Sequence, residues 1–264
     1  MSGAPIQRVL VTGSSGHIGR TIIPALIEAG LEVNGLDVGP PSRGRPCVCP
    51  TTFGGVDNPD TVHAAMPGHD ALIHLAANPN PSADLVNRLV GPNIIGLHNV
   101  LHAAVDHGVR RVVLASSVQA AGHAHHPRTP DLADQSADNW YGITKIVAEH
   151  AGMLFHKKYG LDVIAARIGW FPGHVGDARW MKTRAQQDSL LSRGDAVRFF
   201  LAATTAEWSG FHVLFAMSKP VDDADPEYDL QPGRNVLGYE PQDRFPDGLP
   251  SPPRHIASPA PSSV

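Results

Sequence analysis

The chain has 264 residues, of which 42% are hydrophobic, 17% charged and 6% aromatic, the make-up of one globular domain with a buried core. Collagen-like, coiled-coil and wholly disordered architectures are excluded on that composition. A formal net charge of -4, with no block of like charges, leaves no electrostatic footprint for nucleic acid or an anionic membrane surface.

Met1 to Val11 lacks the basic start, long apolar middle and small-residue cleavage site of a signal peptide, and no later apolar run approaches the roughly 20 residues of a membrane span. A cytoplasmic protein is expected. Apolar runs of strand length occupy Arg8–Thr12, Leu31–Leu36, Ala71–Leu75, Val109–Ala115 and Asp162–Ile168. Between them lie segments of helical period, Ile18–Ala29, Asn93–His107 and Trp140–Tyr159. Continuous apolar character marks strands buried on both faces, so the pattern predicts an α/β fold with a doubly wound parallel sheet. The rhythm breaks after Gly169. A cofactor-binding domain over residues 1–169 is expected, then a small substrate lobe over 170–243 carrying one helical piece, Asp195–Ala203, and one strand-like piece, Gly210–Phe215. Residues 244–264, rich in Pro and Ser, read as a mobile tail. Cys47 and Cys49 are too close in sequence for an ordinary disulfide and too few for a zinc site, and are taken as incidental.

The stretch Val11-Thr12-Gly13-Ser14-Ser15-Gly16-His17-Ile18-Gly19 sets three glycines between the first strand and first helix. Gly13 suits a tight turn, Gly16 the approach of a pyrophosphate, and Gly19 close packing of helix on strand. Asp37 ends the second strand, near the ~20-residue spacing expected of a ribose-binding acid. A carboxylate there accepts from both ribose hydroxyls and repels a 2′-phosphate, so NAD is expected over NADP. Arg43 and Arg45 either soften that preference or are solvated loop residues.

Tyr141 and Lys145 stand one helical turn apart on one face, and Ser116-Ser117 ends a strand at the carboxyl edge where such sheets bind ligands. With these residues the chain resembles the extended short-chain dehydrogenase/reductase superfamily. The matching pieces run in order: the Thr12-Gly13 loop, His74-Leu75-Ala76-Ala77, Asn93-Ile94-Ile95-Gly96, Ser116-Ser117, the Tyr141/Lys145 pair and Arg167-Ile168-Gly169. The resemblance implies that Tyr141 is the general acid/base, that Lys145 holds the nicotinamide ribose and lowers the tyrosine's pKa, and that Ser117 hydrogen-bonds the reacting oxygen. Asn93 would fix the active-site helix, or is simply a polar residue at a helix N-terminus. Ser15, His17, Ile18, Leu75, Ala76, Ala77 and Ile168 complete the implied cofactor contacts; His17 has no proton-transfer role. A homodimer through the helices Asn93–His107 and Trp140–Tyr159 is also implied. Two departures stand out: Thr51 to Asp57 aligns poorly with the family's third strand, so that Asp57 is no more than a candidate for its adenine-contacting acid, and no tyrosine precedes Gly122.

Dehydratases of the family need an acidic pair where this chain has Val118 and Gln119, and nucleotide-sugar epimerases need a larger lobe. Among compact members the chain looks most like uronate dehydrogenases, through Arg179, placed like their carboxylate-binding arginine, and through Asn235-Val236-Leu237-Gly238-Tyr239-Glu240-Pro241. An arginine fork suits a carboxylate, although Arg179 also reads as a surface arginine. Val118, Gln119 and Trp170 replace that group's substrate-facing residues, so a changed substrate is expected, with Gln119, Trp170 and Arg179 shaping the pocket. The leading expectation is hydride transfer between NAD and a secondary alcohol of a sugar, sugar acid or related small polar substrate. The alternatives are an epimerase that keeps NAD bound and an inactive NAD-sensing protein. His123, His125 and His126 read as a polar loop, and no metal is expected.

Overall fold

The computed structural model describes residues 5–41, 45–122, 125–173, 181–247 and 249. Seven parallel strands form one sheet: β1 (Arg8–Thr12), β2 (Glu32–Asp37), β3 (Thr51–Phe53), β4 (Ala71–His74), β5 (Arg111–Ser117), β6 (Asp162–Ile168) and β7 (Phe211–Ala216), in the order β3-β2-β1-β4-β5-β6-β7. The order reverses between β1 and β4, which opens a crevice at the carboxyl ends of the strands.

Helices cover both faces. On one, α1 (His17–Glu28) and α6 (Arg193–Thr205) bury Ile22, Ile23, Leu26, Phe199 and Phe200 against Val9, Val11, Ile73 and Ile164. On the other, α2 (Pro59–Ala65), α3 (Gly96–Asp106) and α4 (Trp140–Tyr159) bury Val62, Leu97, Val100, Leu101 and Phe155 against Leu10, Leu72, Val112 and Leu114. The doubly wound expectation holds. Two short helices, α5 (Arg184–Asp188) and α7 (Gln231–Leu237), sit in the later connections. Among the described residues no helix is long and apolar enough to cross a membrane.

Three expectations need correction. The sheet does not stop at Gly169, because β7 pairs with β6 along its whole length, from Val163↔Phe211 to Ile168↔Ala216, and α6 packs beside α1. Of the expected lobe, the described residues 170–173, 181–191 and 217–230 remain as connections outside the sheet, with α5 among them. The predicted helix from Asn93 is two elements: a π-helical stretch, Leu85–Ile95, contains Pro92 and runs into α3. A proline inside a helix removes an N–H and crowds the preceding turn; here the ladder widens, with Leu89 N–H bonded to Asp84 O and Gly96 N–H to Gly91 O. Arg244, the expected start of a mobile tail, is instead held by Pro220 O and by Asp223; residues 250–264 lie outside the described part.

Candidate active site

The glycine loop is shaped by backbone approaches that leave no room for a side chain. Gly13 has φ 72°, donates its N–H to Leu36 O at 2.8 Å, and a Cβ there would meet Ala76 N at 2.8 Å. A Cβ on Gly19 would lie 2.5 Å from Gly13 O, so α1 can seat against its own entry loop only with glycine there. Gly16 caps α1 without a side-chain hydrogen bond, leaving the first-turn N–H groups of the helix facing the loop. Ser15 N–H donates to Asp37 Oδ2 at 2.8 Å, which ties the loop to the end of β2. Leu75 N–H bonds Thr12 O at 3.1 Å and Ala76 N–H bonds Thr12 Oγ1 at 3.2 Å. The expected cofactor residues Gly13, Ser15, Gly16, Ile18, Gly19, Asp37, Leu75, Ala76 and Ala77 therefore gather on adjoining strand ends. His17 turns towards Gly173, where a Cβ would lie 3.4 Å from its Cε1, and Ile168 is buried at the end of β6. Asp57 sits in an exposed turn beyond β3, Arg45 is exposed, and Arg43 lies outside the described residues.

Ser117 closes β5, and its Oγ accepts from Gln119 N–H at 3.2 Å as the chain turns through residues 118–120. Tyr141 is buried beside Ser117, close enough for the serine hydroxyl to favour the phenolate. Both Tyr141 and Lys145 are positioned by the start of α4, where Asn139 caps the helix by accepting from Gly142 N–H at 2.9 Å. Lys145 Nζ donates to Ala115 O at 2.7 Å and lies 5.5 Å from the centre of the Tyr141 ring. Burial brings the Lys145 pKa down to about 8. The expected lowering of the tyrosine is not seen in the free protein: burial pushes the phenol up, and the Ser117 hydroxyl only partly opposes it. The lysine's bond goes to a backbone carbonyl, not to the phenol oxygen.

Asn93 is buried in mid-stretch of the π-helical segment rather than at a helix start. Its Nδ2 donates to Asn78 O at 3.1 Å and Thr144 Oγ1 at 3.0 Å, and its Oδ1 accepts from Asn78 N–H at 2.8 Å. It pins the segment after β4 to α4 beside Lys145, which makes it a positioning residue. Deeper still, Thr12 Oγ1 is 2.7 Å from His74 Nδ1. Burial, with Lys145 nearby, lowers the His74 pKa to about 3, so the imidazole is neutral.

A second network had no place among the expected site residues. Glu149 and Arg167 form an ion pair with both side chains fully buried. Glu149 Oε1 accepts from Ser116 Oγ (2.6 Å) and Arg167 Nε (2.9 Å), and Oε2 from Arg167 Nη2 (3.0 Å) and Gln135 Nε2 (2.6 Å). Arg167 also donates to Asp131 O at 2.8 Å and Thr129 O at 3.4 Å. The available signal was an arginine inside an otherwise apolar strand, which requires a buried partner.

Past Ser117 a cavity of about 280 Å³ is lined by Gln119, Arg128, Ser136, Ser189 and Tyr228 among others. Gln119 is oriented by Asn139, whose Nδ2 donates to Gln119 Oε1 at 2.8 Å. Trp170 is half-buried and absent from the described lining, its backbone bonded to Ser189 and Leu191. Arg179 and His123 lie outside the described residues. His126 Nε2 meets Asp225 Oδ1 at 2.9 Å, and the described residues contain no cluster of three or more His, Cys, Asp or Glu arranged for a metal.

Comparison with known proteins fits this arrangement. Residues 9–187 match the NAD dependent epimerase/dehydratase family. The chain is 30% identical over 254 residues to an NAD-dependent glucose-6-phosphate dehydrogenase of Haloferax volcanii, covering 90% of this chain and 94% of that protein. It is 31% identical over 201 residues to a uronate dehydrogenase of Pseudomonas putida, covering 72% and 71% of the two chains. A solved uronate dehydrogenase from Agrobacterium tumefaciens superposes with a TM-score of 0.74 at 26% identity, covering 90% of this chain and 85% of that one. A glucuronic acid dehydrogenase from Chromohalobacter salexigens gives 0.76 at 25% identity, with coverage of 90% and 85%. The chain belongs to the NAD dependent epimerase/dehydratase family, and with its glycine loop and its Ser117, Tyr141 and Lys145 set it is an NAD(P)-dependent enzyme of the short-chain dehydrogenase/reductase superfamily.

Proposed function

We propose that this protein is an NAD-dependent dehydrogenase that oxidises a secondary alcohol of a free sugar, sugar acid or related small polar molecule. The observation that carries the reading is the buried grouping of Ser117, Tyr141 and Lys145 at the carboxyl edge of the sheet, with Lys145 held by Ala115 O and 5.5 Å from the Tyr141 ring, and a cavity of about 280 Å³ beginning at the next residues. That volume is about nine waters' worth. It is enough for a monosaccharide, and the relatives named above act on hexose phosphate or uronate.

The residues present fit the dinucleotide: the glycines clear its path, the start of α1 faces the phosphates, and Asp37 stands where ribose hydroxyls need an acceptor and a 2′-phosphate would be repelled. NAD, when bound, supplies the acceptor for one hydride. Ser117 then steadies the substrate oxygen, and Tyr141 as phenolate takes the hydroxyl proton while the carbon loses hydride. The Lys145 ammonium and the positive charge of the oxidised nicotinamide favour the phenolate against the burial that opposes it. Val118 and Gln119 provide no carboxylates for expelling water, which disfavours dehydration. Along α4, Trp140, Ile143, Val147 and Leu154 are exposed apolar residues on neighbouring turns, and this stripe supports a homodimer.

The test is reduction of NAD followed at 340 nm with uronates, aldoses and sugar phosphates, for the wild type and Tyr141→Phe. Turnover lost in the variant with NAD affinity kept supports the reading. Undiminished turnover in Tyr141→Phe, or no net reduction with NAD retained through purification, as in an epimerase, overturns it.

A further inference from the structure

Arg128 stands in the cavity wall, and among the described residues it forms no ion pair. It is the only cation among the described lining residues. Its backbone is fixed on both sides: Arg128 N–H donates to Glu227 O and Asp229 N–H to Arg128 O, each at 2.9 Å. The carbonyls of Thr129 and Asp131 are gripped by Arg167, which Glu149 locks in place. The Arg128 guanidinium lies over the Tyr228 ring, 5.3 Å from its centre. Neighbouring arginines are neutralised, Arg184 by Asp188, Arg167 by Glu149 and Arg244 by Asp223. Arg128 has no ion pair and no side-chain hydrogen bond among the described residues. Asp138, the one carboxylate among the described lining residues, accepts from Asn139 Nδ2 at 2.6 Å.

A half-buried, stacked and backbone-anchored guanidinium has already lost most of its rotamer freedom, and its planar fork matches two oxygens of one oxyanion. We infer that Arg128 binds the anionic group of the substrate, and that the substrate is a monosaccharide carrying a carboxylate or phosphate away from the carbon that is oxidised. This rests on the dehydrogenase reading above. Gln119 and Ser136, on the same wall, supply neutral donors for sugar hydroxyls.

The experiment compares kcat/KM for glucuronate, galacturonate and glucose 6-phosphate with that for glucose, galactose and arabinose, in wild type, Arg128→Gln, Arg128→Lys and Arg179→Gln. The wild type is expected to favour the anionic sugars. The anionic-to-neutral ratio should fall about 10- to 100-fold in Arg128→Gln, the value of one charge-assisted contact, and less in Arg128→Lys, which keeps charge but loses the fork. General damage to the wall lowers both substrate types and leaves the ratio in place. Preference for carboxylate over phosphate among the anions identifies the source of the oxyanion. The inference is overturned if the wild type oxidises sugars with no anionic preference, if Arg128→Gln keeps that preference, or if Arg179→Gln alone abolishes it. If no sugar is oxidised the dehydrogenase reading fails by itself. Calorimetric titration of glucuronate into the NAD-loaded wild type and Arg128→Gln then still decides the Arg128 site: binding weakened in the variant supports it, and equal or absent binding refutes it.

Discussion

Arg167→Met removes one half of an ion pair whose two side chains have no solvent exposure, at nearly constant volume. Glu149 would keep the Ser116 and Gln135 hydrogen bonds but lose both bonds to the guanidinium, leaving a buried carboxylate without a counter-charge. Breaking such a pair from one side costs about 3–5 kcal/mol. In a chain of this size each kcal/mol moves the midpoint by about 2 °C, so Tm should fall about 6–10 °C. Glu149→Leu alone strands the arginine and should cost a similar amount. The double variant removes both charges and should be well above the sum of the singles, with a coupling of at least about 2 kcal/mol. Scanning calorimetry on the four proteins gives the cycle. Kinetics add a second reading, because freeing the carbonyls of Thr129 and Asp131 loosens the cavity wall, so KM should rise more than kcat falls. A shift under about 2 °C in Arg167→Met, or strict additivity in the double variant, would refute the reasoning.

Gly13→Ala places a Cβ 2.8 Å from Ala76 N at φ 72° and should abolish measurable NAD binding by calorimetry, whereas Gly108→Ala, with the same φ and open space, should cost about 1–2 kcal/mol of strain and leave NAD affinity unchanged. His74 stays neutral in the fold down to about pH 3 while the unfolded chain protonates it near 6.5; U then binds the extra proton, so stability falls by about 1.4 kcal/mol per pH unit below 6.5, and His74→Asn should flatten that slope in urea titrations. Burial raises the Tyr141 pKa, so alcohol oxidation should accelerate with rising pH across the neutral range and the reverse reduction should slow, read from paired kcat/KM profiles. Val147→Glu with Leu154→Glu puts two charges into the exposed stripe of α4; on the proposed homodimer, light scattering should read a dimer for the wild type and a monomer for the variant.

Strands β1, β2, β4, β5 and β6 were legible because burial on both faces writes them as unbroken apolar runs. β3 was not: three residues long, Thr51-Thr52-Phe53, partly exposed and at the sheet edge, it carries no such run. The strand character of β7 was visible, but its membership of the sheet depends on a pairing across more than forty residues that local periodicity does not encode. The start of the helix before α3 was misread because a widened ladder around Pro92 has no 3.6-residue signature. At the site, spacing and strand ends with the family resemblance singled out Ser117, Tyr141 and Lys145, which the fold brings to one sheet edge. Arg128 could not, since its setting depends on which loops meet over the sheet, and the direction of the tyrosine's pKa was misjudged because a neighbouring lysine is visible in sequence while burial is not.

The Ser15–Asp37 hydrogen bond has a consequence for coenzyme engineering. One carboxylate both faces the expected ribose position and holds the phosphate-binding loop at its distance from β2. Replacing Asp37 with a small neutral residue to admit a 2′-phosphate would release Ser15 as well, loosening the grip on either dinucleotide. If Asp37 holds the ribose as proposed, recognition and loop rigidity rest on one carboxylate, and a change of coenzyme demands a residue that still accepts from that backbone N–H, such as Asn, together with a new cation beyond it.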